Sequence, residues 1–263
     1  MFPAERIVCL TEETVETLYL LGEEQRIVGV SGYAVRPARV RLEKPRVSAF
    51  ISADIEKIVA LEPDLVLTFS DLQADIAATL IRRNVAVHAF NQRDLAGILA
   101  MIRTLGALVG ASATADALAA ELEQRLATIR GQTAALPRRP RVYFEEWDDP
   151  MISGIRWVSE LIEVAGGEDV FSGLSRHNSA KDRIVSGQDV IAAKPDVIIG
   201  SWCGKKFVPA KVNAREGFAA IPAAVDGWLR EIKSALILQP GPAALTDGLD
   251  ALVGIIAEWS RAQ

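Results

Sequence analysis

Two short stretches carry side chains able to do chemistry. Trp147 stands among Glu145, Glu146, Asp148 and Asp149. An aromatic ring flanked by carboxylates can stack on a flat ligand while the acids accept its amide or ammonium hydrogens. The plainer reading is a solvated loop whose acids pair with Arg156 or Lys205. Trp202-Cys203-Gly204-Lys205-Lys206 places a second ring beside two cations. Neighbouring lysines lower a thiol pKa, so Cys203 could ligate a metal or act as a nucleophile; it could equally be a small residue in a glycine turn. No histidine is near it in sequence, and Trp202 as a ligand platform is the stronger expectation.

The chain has two histidines. His88 falls inside an apolar strand pattern and reads as structural, whereas His177 lies in the aperiodic stretch 172–183. There it could approach a ligand, even as an axial donor to cobalt or iron, or remain an exposed polar residue. No HxxxH or HExxH pair exists, so a dedicated zinc site is not expected. Lys181, Arg183, Lys205, Lys206, Arg215 and Lys233 gather cations that suit carboxylates or a phosphate on a ligand, or that balance 145–149. No GxGxxG or Walker loop is present, which leaves nucleotide binding without support. Cys9, in the first expected strand, and Cys203 make neither a disulfide framework nor a CxxC site.

The positioning elements repeat. Ile58-Val59-Ala60-Leu61-Glu62-Pro63-Asp64-Leu65-Val66-Leu67 and Val190-Ile191-Ala192-Ala193-Lys194-Pro195-Asp196-Val197-Ile198-Ile199 each read as a helix end, a Pro-Asp turn and a fully apolar strand. Such a strand is buried on both faces of a parallel α/β sheet. Between the copies, Ala115, Leu118, Ala119, Leu122, Leu126 and Ile129 form one apolar stripe of a helix over 112–136, N-capped by Ser112 and closed by Pro137 and Pro140. About 25 residues make a rod of roughly 37 Å, a strut that limits movement of whatever it joins. The expected fold is therefore α/β, with two Rossmann-like lobes of mostly parallel sheet: an N-terminal lobe over 1–110, a connecting helix over 111–137 and a C-terminal lobe over 138–263.

Further strands are expected at 6–10, 26–30, 65–68, 85–90 and 141–144, with an edge strand at 229–232, and helices after Thr11, after Ser52 or Asp54, over 94–109, 155–165 and 245–260. Ligands of open parallel sheets sit outside the carboxyl ends of the strands. Those ends are 11–13 with Glu13, 31–33 with Tyr33, 69–71 with Phe69 and Asp71, Phe90 with Asn91, 145–149 and 201–205. If the lobes face each other, these residues line one cleft.

The chain of 263 residues is half hydrophobic, and its net charge of -5 argues against nucleic acid as the main partner. No apolar run approaches a membrane span, and the N-terminus lacks the pattern of a secretory signal. As written it reads as cytoplasmic, or as periplasmic if a signal has been removed. A monomer is expected.

Over its full length the chain resembles the helical-backbone substrate-binding proteins of ABC importers, the group that carries cobalamin, haem and ferric siderophores. The resemblance rests on Arg6-Ile7-Val8-Cys9-Leu10, Ile27-Val28-Gly29-Val30-Ser31, both Pro-Asp units, Ala165-Gly166-Gly167-Glu168-Asp169-Val170-Phe171 and Leu238-Gln239-Pro240-Gly241-Pro242. Within the group it is most similar to cobalamin-binding proteins. The resemblance implies a bulky metal-chelate ligand, a corrinoid first, in the interlobe cleft, with no separate cofactor and no catalysis. Haem or a ferric siderophore, or an enzyme acting on a corrinoid-like ligand, are the alternatives. First-lobe contacts would come from Tyr33, Phe69 and Phe90, with Glu13 and Asp71 beside them. Second-lobe contacts would come from Met151, the loop 181–183 with Lys181 and Arg183, and Trp202, to which the strand-end reading above adds Glu146, Trp147 and Lys205. Docking to a permease would use Asp75 and Asp189.

Overall fold

The structure, a computed structural model, describes residues 2–263. The chain divides into two compact units, Met1–Gln92 with Ala96–Glu123 and Arg93–Leu95 with Gln124–Gln263. The first runs through β1 (Ile7–Cys9), α1 (Glu12–Leu20), β2 (Ile27–Ser31), α2 (Val40–Glu43), β3 (Arg46–Ser48), α3 (Ile55–Ala60), β4 (Leu65–Phe69), α4 (Ala74–Arg82), β5 (Val87–Phe90) and α5 (Leu95–Leu108). Its sheet has the order β3-β2-β1-β4-β5 with every pair parallel. The central strands β1 and β4 expose no residue, which is why they are written in uninterrupted apolar and threonine side chains. Val8, Leu10, Val47, Ile58, Val66 and Leu80 form the core packed on them.

The helix α6 (Ser112–Thr133) is continuous across the division between the units. It ends one turn before the expected 136, and Ala115, Ala119, Leu122 and Leu126 are its buried stripe. Gly106 of α5 lets it approach closely, since a Cβ there would stand 2.2 Å from that of Ala115. In its second half Arg125 pairs with Asp250.

The second unit comprises β6 (Arg141–Asp148), β7 (Met151–Ser153), α7 (Arg156–Val164), β8 (Glu168–Asp169), α8 (Gly187–Ala193), β9 (Val197–Gly200), α9 (Pro209–Asn213), α10 (Pro222–Val225), β10 (Leu229–Glu231), α11 (Ser234–Ile237) and α12 (Leu249–Arg261). Its sheet order is β10-β9-β6-β7, with β8 beside the start of β6. β8, β9 and β10 pair in parallel, whereas β7 folds back antiparallel on the end of β6. Both sheets are mostly parallel, as expected from the Pro-Asp units.

Those units superimpose in chemistry as well as sequence. α3 and α8 both stop at a left-handed residue before proline, Glu62 at φ 48° and Lys194 at φ 46°. The helix cannot continue past that proline, and the chain turns directly into β4 or β9. The Asp64 carboxylate accepts the Arg6 amide at 3.0 Å and the Asp196 carboxylate accepts the Arg141 amide at 2.8 Å.

Two expectations are corrected. The acids 145–148 are not a loop at a strand end: β6 continues through them and turns at 149–150 into β7. The aperiodic stretch 172–183 winds into two short 3-10 turns, Leu174–Arg176 and Ala180–Arg183. Neither of these segments carries a long period, so no apolar repeat marks it as helix or strand in the sequence.

Candidate functional site

The most heavily bonded side chain at the carboxyl end of the second sheet is Glu145, which is 0% exposed. Its alternation along β6 with Tyr143 puts both on one face. The Tyr143 hydroxyl donates to Glu145 Oε2 at 3.0 Å, and the Trp202 indole N–H donates to Oε1 at 2.9 Å. Arg215 adds a bidentate pair, Nη1 to Oε2 at 2.5 Å and Nη2 to Oε1 at 2.9 Å. A buried carboxylate is stable when its charge is matched and its lone pairs are filled, and both conditions are met here. Burial first and the nearby Glu145 charge next push the Tyr143 phenol well above its ordinary pKa. Trp202 is 2% exposed, stacked edge-on against Phe207 at 5.0 Å. Gly200 makes that packing possible, because a Cβ at this position would fall 1.9 Å from the Phe207 ring.

Trp147 comes next along β6 and is half-buried, with its indole N–H donating to the Asp149 carbonyl at 2.9 Å. Lys205 Nζ lies 3.9 Å from its ring centroid and pairs with Asp148. Partial burial works to raise the Asp148 carboxyl; Lys205 and a backbone amide outweigh it and hold it below the usual range. Glu146 is paired with Arg183, whose Nη1 donates at 2.6 Å and also reaches the Ser153 carbonyl at 2.5 Å. The acids around Trp147 thus take up cations of their own unit: Arg215, Arg183 and Lys205, where Arg156 had been one expectation. Met151 is half-buried beside this group, and Lys181, Cys203 and His177 are exposed.

At the carboxyl end of the first sheet, Tyr33 is 55% exposed in the turn after β2, a turn tied to β3 by the Gly32 amide on the Ser48 carbonyl at 2.7 Å. Phe69 and Phe90 end neighbouring strands and face inward, while Asp71 is exposed. Glu12 and Glu13 open α1 in the interior. The Ser31 hydroxyl donates to Glu12 at 3.2 Å and the Thr11 hydroxyl to Glu13 at 2.7 Å. Burial, reinforced by the charge of Glu12, pushes the Glu13 carboxyl up to about 8. Burial likewise raises Glu12.

Of the expected contact residues, Glu13, Phe69, Phe90, Arg183 and Trp202 are buried within their own units. Tyr33, Asp71, Trp147, Met151, Lys181, Lys205 and Glu146 keep surface. Asp75 is exposed on the first turn of α4, and Asp189 completes a capping box with Ser186 at the start of α8. Ile51 and Leu72, absent from the expected contacts, are 70% and 54% exposed on the loops after β3 and β4. The available signal was a large aliphatic residue in a segment otherwise read as a turn.

Among the described residues no group of three or more His, Cys, Asp and Glu side chains is arranged to hold a metal, and no helix is long and apolar enough to cross a membrane.

Known proteins of similar sequence and fold exist. A cobalamin-binding protein of Halobacterium salinarum is 27% identical over 201 residues, 74% of this chain; the chain spans 53% of that protein's length. The crystal structure of the periplasmic vitamin B12-binding protein of Vibrio cholerae matches with a TM-score of 0.78 at 24% identity, covering 99% of each chain. A periplasmic heme-binding protein from Roseiflexus sp. RS-1 matches with a TM-score of 0.82 at 24% identity, over 96% of this chain and 99% of that one. These two likenesses show the shared α/β fold. The chain belongs to the periplasmic binding protein family, whose model matches residues 7–236.

Proposed function

We propose that this protein is the substrate-binding component of an ABC importer and that it carries cobalamin or another corrinoid. The observation that carries the reading is the cobalamin-binding relative at 27% identity, within a family of binding proteins. The strand-end surfaces support it, with Tyr33 on the first unit and Trp147 under Lys205 on the second. Flat rings with polar edges suit a large, partly flat amphipathic ligand. Asp71, Glu146, Met151 and Lys181 are the polar and soft groups proposed beside them, in lobes proposed at 1–110 and 138–263 with 111–137 as the connecting helix. Binding without chemical change is the proposed activity, in a periplasmic setting, by a monomer. Asp75 is the better placed candidate for permease docking, since Asp189 already caps α8.

Titration with cyanocobalamin, followed by tryptophan quenching and the visible spectrum, tests this. Saturable quenching that weakens about tenfold or more in Trp147→Ala is expected, the scale of a lost aromatic contact. Haem or a ferric siderophore is the second reading, favoured by exposed Lys181 and Lys206, which suit ligand carboxylates. Tight haem binding with no response to cyanocobalamin would transfer the assignment.

A further inference from the structure

Gln73 is a neutral amide 1% exposed, in the turn between β4 and α4. Its Oε1 accepts the Phe69 amide at 3.0 Å, and its Nε2 donates to the Leu10 carbonyl at 3.2 Å and to the Phe50 carbonyl at 2.8 Å. Those three backbone groups belong to the end of β4, the residue after β1 and the loop after β3. At the carboxyl end of a parallel sheet the ladder bonds run out, and the last backbone groups need partners of another kind. One side chain supplies three of them, across three strands.

Two of the loops so tied carry exposed apolar side chains, and a third such side chain stands on a turn bonded to the strand that leads into one of them. Ile51 follows Phe50 directly, Leu72 precedes Gln73, and Tyr33 sits on the turn bonded to β3 through Gly32 and Ser48. The loop 49–52 is otherwise closed on itself by the Ala49 amide on the Ser52 carbonyl at 2.8 Å. Loops of this kind are mobile unless fixed to the scaffold.

We propose that Gln73 is a positioning residue of the ligand site, fixing the loops that present Ile51, Leu72 and Tyr33 as one apolar rim. The proposal rests on the binding function given above. A side chain that touches no ligand then sets affinity through the fraction of molecules whose loops are in place: if that fraction falls to a tenth, the apparent Kd rises about tenfold.

Two variants read this. Gln73→Leu removes all three bonds. Gln73→Glu keeps the acceptor for the Phe69 amide but, when ionised, can donate to neither carbonyl; once protonated it donates to one. Hydrogen exchange is measured on the ligand-free proteins, and cyanocobalamin affinity on both from pH 7.5 to pH 5, relative to the parent. The expected result is faster exchange at 49–52 and 69–73 with the β1 and β4 amides still protected, an affinity about tenfold weaker, and a partial recovery at low pH in Gln73→Glu alone. Parent-like exchange in those segments, or affinity loss in Gln73→Glu that ignores pH, overturns the proposal. If Gln73→Leu does not fold, the pH profile of Gln73→Glu decides. If the parent binds no cyanocobalamin, the ligand reading fails by itself, while exchange at 49–52 still decides whether Gln73 holds the rim.

Discussion

The two units are alike at the amino ends of their strands and unlike at the carboxyl ends. Arg6 Nε donates to the Glu62 carbonyl at 3.0 Å and Arg141 Nε donates to the Ala193 carbonyl at 3.1 Å. Each guanidinium thus caps the helix that ends at the Pro-Asp turn, where orphan carbonyls and the dipole favour a cation. Each aspartate of the turn then holds the backbone of the strand bearing, or following, that arginine. At the other end, the first unit ties its loops with the neutral Gln73 and keeps two carboxylates whose burial favours their protonated forms. The second unit ties its loops with Glu145, charged and matched by Arg215. Ending a helix and starting a buried strand is the same physical problem in both units and has the same solution. Presenting a surface is a different problem in each, and there the residues diverge.

If the second unit depends on charge, Arg215→Met should be the most costly change. It leaves Glu145 buried without its cation and should cost about 3 kcal/mol in a denaturant melt. Adding Glu145→Gln to it should recover part of that loss, and a single-variant cost under ~1 kcal/mol would mean the tyrosine and tryptophan donors suffice.

The first unit should instead show its character in pH. The native protein holds the Glu13 proton up to about 8, whereas the unfolded chain releases it near the ordinary carboxyl value of 4.5. The folded state binds the extra proton in that window, so stability should fall as pH rises from about 4.5 through about 8, by a few kcal/mol at most. Glu13→Gln should flatten the profile of Tm against pH and gain most at pH 8; an unchanged profile would remove Glu13 as its source.

The shared ends should respond alike. Asp64→Ala and Asp196→Ala each lose two hydrogen bonds, to Glu5 and Arg6 amides in one case and to Arg141 and Arg138 in the other. Each should cost ~1–2 kcal/mol, and a disparity above ~2 kcal/mol would show that the repeat is one of pattern alone. Lys205→Met should have the smallest effect on stability, below ~1 kcal/mol, because the lysine is exposed. It should still shift Trp147 emission, since the ammonium lies over that ring; unchanged emission would break that contact.

Much of the fold was legible because it is written locally. The Pro-Asp units, the Ala115 to Leu126 stripe and the edge strand β10 all appear near their expected positions. The site was less legible. Trp202 reads as a platform by type and place, and only its bond to Glu145, 57 residues away, draws it into the core. Gln73 looks like any polar turn residue until its three partners, up to 63 residues away, are known. The acids 145–148 read as a loop because an acidic run carries no strand pattern of its own, and the β9 strand that pairs with Glu145 lies far along the chain.

The sequence by itself determined two α/β units, the helix running through both and which strands are buried on both faces, because apolar period, proline and capping residues act within a few positions. Tertiary structure decided which charges are matched, which aromatics stay exposed and which side chains hold the loops. Those outcomes depend on partners distant along the chain, and on a balance of desolvation against pairing that no local pattern records.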